Sequence, residues 1–166
     1  NTKSLITLYL VISLNFIFSD LINYNLNLVE NVTFENASNN FGISDVWGYT
    51  DEHGIEYAII GYQYGTSILD VSSTPGESIE VANFIGPSTG DYYFHRDYKT
   101  YGDFLYIVNE MYGGDVGMQV IDLSPLPEES PVQLNTYNLI SQSHNLWVDD
   151  SGYAFIEHQT GDNIHI

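Results

Sequence analysis

The chain has 166 residues, with 22 acidic side chains against 3 basic ones and a formal net charge of −19. That balance argues against nucleic acid and anionic membrane surfaces as partners, because almost nothing in the chain can neutralise phosphates. With 43% hydrophobic residues, 14 tyrosines and 8 phenylalanines there is material for a packed core, and the absence of cysteine excludes disulfide frameworks, thiolate zinc sites and cysteine nucleophiles.

At the start, Lys3 precedes a mostly apolar run over residues 5–18, interrupted by Thr7, Ser13 and Asn15. The run is too short and too polar for a membrane span. It fits the hydrophobic region of a secretory signal peptide, with cleavage after Ser19 and residues 1–19 removed. A core strand or a buried helix is the competing reading. No membrane span beyond this segment is expected. Residues 20–41 are Asn-rich and irregular and read as a lead-in with room for one closing strand. At the other end, Asn163-Ile164-His165-Ile166 alternates polar and apolar, so the chain is expected to stop inside an element of a longer protein.

Between these ends a repeat is visible. Asp45 and Asp97 lie 52 positions apart, Asp70 and Asp122 also lie 52 apart, and Asp97 and Asn145 lie 48 apart. Each copy carries short runs of aromatic and branched residues, at 57–61, 104–109 and 153–157, which read as strands. Turn signals bound them: Asp51-Glu52-His53-Gly54, Gly102-Asp103 and Asp149-Asp150-Ser151-Gly152. No window after Asp20 has a helical period. A period near fifty with three or four short strands predicts an all-β fold, an incomplete β-propeller of about three blades over residues 42–166. A β-sandwich is the alternative, but it gives no reason for a 52-residue copy.

In a propeller the first strand of each blade is innermost, so repeat symmetry brings Asp45, Asp97 and Asn145 towards one channel, with His95, Arg96 and His144 beside them. Carboxylate, imidazole and amide groups converging there are ligand-binding candidates. The competing reading is that the repeated Asp or Asn is a fold device that accepts a backbone amide. Glu110 and Glu157 end the second strands and vary between copies, which a fold device does not require. With Asp97 and His144 they form a candidate set for metal-assisted hydrolysis, against the alternative that they are solvent-facing strand ends. The run Tyr92-Tyr93-Phe94 is not repeated and is a candidate binding loop. The acidic turns lack the alternating oxygen ligands of a calcium loop and read as hairpin closures. Asp70 and Asp122 read as turn-closing carboxylates.

The stretch Gly117-Met118-Gln119-Val120-Ile121-Asp122-Leu123-Ser124 resembles the repeat of the LVIVD β-propellers, and among them the choice-of-anchor B surface proteins. Ser44-Asp45-Val46-Trp47-Gly48-Tyr49, Gly65-Thr66-Ser67-Ile68-Leu69-Asp70-Val71, Arg96-Asp97-Tyr98-Lys99-Thr100-Tyr101-Gly102-Asp103 and Ser143-His144-Asn145-Leu146-Trp147-Val148-Asp149 match as well. The resemblance runs from about residue 42 to the end. It implies a bacterial protein that is secreted or held at the cell surface, and it brings no settled activity. The expected function is a binding or interaction module for an extracellular protein or polysaccharide. The alternative is a propeller hydrolase using a divalent metal in the channel. No cofactor is expected, with calcium the divalent ion that the polar ring leaves open.

Overall fold

In the computed structural model, residues 26–34, 42–87, 95–111, 116–158 and 163–166 are described. The proposed signal segment and most of the lead-in lie outside them, as do Tyr92, Tyr93 and Phe94.

The described residues form strands and no helix. In chain order these are β1 (Ile43–Thr50), β2 (Glu56–Tyr62), β3 (Gly65–Asp70), β4 (Ile79–Ile85), β5 (Arg96–Tyr101), β6 (Phe104–Asn109), β7 (Met118–Asp122), β8 (Val132–Tyr137), β9 (Ser143–Val148), β10 (Ala154–His158) and β11 (Asn163–His165). They make three antiparallel sheets: β1-β2-β3-β4, β5-β6-β7-β8 and β9-β10-β11. The expected strands at 57–61, 104–109 and 153–157 are β2, β6 and β10.

Short-range chemistry explains the hairpins. Asp51 Oδ1 accepts the amides of His53 and Ile55, each at 2.9 Å, and Gly54 takes a φ of 83°. The turn at Asp149 repeats this: its Oδ1 accepts the amides of Ser151 and Tyr153, each at 2.9 Å, and Gly152 also has a φ of 83°. A carboxylate that folds back on two amides, followed by a glycine in the left-handed region, closes a hairpin without help from the core. Asp70 accepts the amides of Ser72 and Ser73, and Asp122 accepts that of Ser124, so both close turns as expected.

The sheets stack face to face. Tyr57, Ile59 and Ile68 of the first sheet pack on Tyr98, Leu105, Ile107 and Ile121 of the second. The other face of the second sheet places Val108, with Tyr106 and Met118, on Leu146 and Ile156 of the third. A strand shows alternate residues to opposite faces, so β6 serves both interfaces: Leu105 and Ile107 point one way, Tyr106 and Val108 the other. Ile59, Ile68, Leu105, Ile107 and Ile121 are fully buried. Each contributes about 1.5–3 kcal/mol relative to exposure. The first strands are neighbours: β1 packs against β5, and β5 against β9. A two-sheet sandwich does not describe three stacked layers with their opening strands side by side.

β4 and β8 were not singled out in the sequence. They are the last strands of their sheets, and much of each is exposed on both faces, so they lack the alternation that marks a half-buried strand. Of the two tryptophans, Trp47 is partly buried against the first interface, whereas Trp147 is 60% exposed on the open face of the third sheet.

Candidate functional site

The candidate residues gather where β5 and β9 begin and β6 and β10 end. Asp97, on β5, faces the third sheet. Its Oδ1 accepts its neighbour's amide, Tyr98 N, at 3.0 Å and the ammonium of Lys99 at 3.2 Å. Its Oδ2 accepts Leu146 N, on β9, at 2.6 Å. Lys99 in turn lies 4.3 Å above the Trp47 ring, a cation over an aromatic face. Asp45, on β1, lies close enough to the Asp97 carboxyl group to feel its charge. Burial pushes the Asp45 carboxyl above its ordinary 3.8; a hydrogen bond from Val46 opposes this, and the neighbouring Asp97 adds to it.

Asn145 does not join this pair. Its Nδ2 donates to Glu157 Oε2, on β10, at 3.0 Å. The expected ring of Asp45, Asp97 and Asn145 is therefore a chain of contacts. Asp45 meets Asp97, Asp97 holds the amide next to Asn145, and Asn145 turns to Glu157.

Arg96 is 3% exposed. Its Nη1 donates to Tyr62 O at 2.7 Å and its Nη2 to Pro87 O at 2.8 Å, so the guanidinium ties β5 to the end of β2 and to the segment after β4. Burial lowers its pKa below the ordinary arginine value. Gly86 leaves room for it: a Cβ there would stand 3.1 Å from Nη2.

The other polar group lies at the junction of the second and third sheets. Glu110 follows β6 and its side chain is 9% exposed, while that of His144, on β9, is 51% exposed. His144 Nδ1 lies 2.5 Å from Glu110 Oε1. With Glu110 as carboxylate, the Nδ1 proton is the donor, which leaves Nε2 as the second ring nitrogen. His95 stands beside them, its ring centroid 6.0 Å from that of His144, and its carbonyl accepts the Glu110 amide at 3.2 Å. Gln142, which the sequence reading missed, donates to Glu110 O at 3.2 Å. Ser143, the first residue of β9, donates its hydroxyl to the carbonyls of Glu157 and Asn145. Gln142 lies just before β9, and nothing in its local pattern distinguishes it from an ordinary loop polar residue.

His95, Glu110 and His144 are thus brought together, and Asn145 with Glu157; Asp45 and Asp97 form a separate group, and Arg96 is a buried clamp between sheets. Tyr92, Tyr93 and Phe94 lie outside the described residues. Among the described residues no three His, Cys, Asp or Glu side chains are grouped so as to hold a metal ion. No helix among them is long and apolar enough to cross a membrane. Comparison with protein-family models, curated proteins and solved structures finds no match to this chain.

Proposed function

We propose that the chain is part of an exported β-propeller of the LVIVD type, akin to the choice-of-anchor B surface proteins, and that it acts as a binding module for an extracellular polysaccharide or protein. Three stacked antiparallel sheets with adjacent first strands, recurring at 52 and 48 residues, support the propeller reading. The observation that carries the binding reading is the Glu110–His144 pair. A buried carboxylate orients a half-exposed imidazole, and the half-exposed ring presents Nε2 as a polar contact for a ligand. His95, Asn145 and Glu157 extend the same polar end. Hydroxyl-rich ligands suit such a surface, because imidazole, amide and carboxylate groups offer both donors and acceptors.

The hydrolase alternative draws its support from the same carboxylate–imidazole pair. It is less favoured because Asp97 is occupied by Leu146 N and Lys99, and Glu157 by Asn145.

The test is a polysaccharide array probed with wild type and with the triple variant His95→Ala/His144→Ala/Glu157→Ala. Retained binding to one polysaccharide class in wild type, lost in the variant, supports the reading. Turnover of any polymer that is abolished by the same variant replaces it with the hydrolase.

A further inference from the structure

Three backbone segments meet at the junction of the second and third sheets, and two imidazoles stand there. Arg96 lies opposite Asn109 in the β5–β6 ladder, and one pair further on the Glu110 amide donates to His95 O at 3.2 Å, so His95 and Glu110 are held side by side. On the third sheet, Gln142 Nε2 donates to Glu110 O at 3.2 Å and brings the start of β9 to the same point, with His144 two residues later. The rings of His95 and His144 then stand 6.0 Å apart between centroids, their planes 60° from parallel.

Glu110 sets which nitrogen of His144 carries the lone pair. Its Oε1 lies 2.5 Å from Nδ1, and its side chain is 9% exposed against 51% for His144. As a carboxylate it accepts the Nδ1 proton, so the lone pair of the uncharged ring is on Nε2. A histidine that ligates a metal characteristically has this partner, a carboxylate on the other nitrogen that fixes the tautomer and raises the basicity of the ligating one. The spacing of the two rings fits a shared ion. With metal–nitrogen bonds of about 2.0–2.1 Å, two imidazoles on one ion have centroids no more than about 6.5 Å apart, and 6.0 Å lies inside that reach.

We propose that His95 and His144 together bind one divalent transition-metal ion of the nickel–copper–zinc class, with Glu110 as the residue that positions His144. Imidazole nitrogens select these ions over calcium and magnesium, which take oxygen ligands. Among the described residues no third His, Cys, Asp or Glu side chain is grouped with the pair to close the coordination shell, so the site is an open one. Its remaining positions go to water or to an oxygen of a bound ligand. The ion extends the binding role of this polar end by standing between His144 and the ligand. Metal binding is measured with no saccharide present, so it stands or falls apart from the polysaccharide reading.

Titration calorimetry of the whole, untagged chain with zinc chloride tests this, in about 0.15 M salt and with calcium in excess to occupy the acidic surface. One zinc per chain is expected. His95→Ala and His144→Ala should each weaken it by about tenfold or more, and Glu110→Gln by about tenfold, the scale of a lost carboxylate behind a histidine ligand. His53→Ala removes a half-exposed histidine beside Glu52 and Glu128 and should leave zinc binding unchanged. Nitrogen-detected NMR separates positioning from folding: zinc should move the Nε2 resonance of His144 and leave Nδ1 protonated. His95 is exposed, so its replacement keeps the test informative if Glu110→Gln fails to fold. No zinc uptake in excess calcium overturns the proposal, as does zinc binding that survives both histidine variants, which marks adsorption to surface carboxylates. A site lost in His144→Ala but untouched by His95→Ala also overturns it, because the two rings then do not share the ion. Zinc on Nδ1 of His144 overturns the role of Glu110.

Discussion

The carboxylate of Asp97 accepts the backbone amide of Leu146 across 49 positions of sequence, at 2.6 Å. This contact, with the Lys99 ammonium on the other oxygen, makes Asp97 a tie between β5 and β9 as well as a neighbour of Asp45 on β1. Asp97 thus ties its own strand to a strand of the next sheet.

Asp97→Ala should destabilise the chain by about 1–3 kcal/mol, because a buried amide loses its acceptor and Lys99 its counter-ion. Asp97→Asn keeps an acceptor oxygen and should cost less. Urea unfolding reads both; a midpoint for Asp97→Ala equal to wild type would remove the tie from the account.

Asp45 predicts a particular pH dependence. Its folded pKa is raised above the ordinary 3.8, so the native state binds more protons than the unfolded state between those two values. Its contribution is favourable at acid pH and is lost as pH rises through the raised value. The difference in urea midpoint between wild type and Asp45→Asn should therefore shift against wild type as pH rises above about 4. Asp51 carries the opposite sign. Burial raises its pKa, but the amides of Ile55 and His53 and the Tyr57 hydroxyl outweigh that and hold it below 3.8. Asp51→Asn should remove stability that wild type has above 3.8 and loses on acidification below it.

Arg96→Lys should cost about 2–3 kcal/mol, since a single ammonium cannot span two carbonyls on different segments and leaves one buried acceptor unpaired. Arg96→Met, matched in length, should cost at least as much. Thermal unfolding near wild type for the lysine variant would mean that the fork geometry is not needed.

Gly65→Ala should be among the most damaging small substitutions. A Cβ there would stand 2.1 Å from Phe84 O, which is backbone of the paired strand and cannot step aside. The expected cost is about 1–3 kcal/mol from forced separation of β3 and β4. Gly48→Ala, with nothing within 4 Å, is the control and should fall within about 0.5 kcal/mol of wild type.

The uncharged imidazole of His144 should be the Nδ1-protonated tautomer, because Nδ1 faces the Glu110 carboxyl oxygen. Nitrogen-detected NMR of the ring checks this. Glu110→Gln should weaken the preference, and an Nε2-protonated ring in wild type would contradict the donor assignment at the sheet junction.

What was legible in the sequence was local. The turns at Asp51 and Asp149 close within five residues, by a side chain reaching its own backbone, so residue identity is nearly sufficient. The second strands were legible because branched and aromatic residues cluster there. Tertiary structure decided the rest. That the Arg96 guanidinium spans Tyr62 O and Pro87 O, and that His144 meets Glu110 from 34 positions away, follows from the stacking of the sheets and not from local sequence. The edges β4 and β8 needed a sheet to pair with, because exposure on both faces erases the period. Hydrogen bonding to one's own turn is encoded within a few residues, whereas which polar groups share a buried junction depends on how three sheets stack, and that stacking is set by faces contributed from the whole length of the chain.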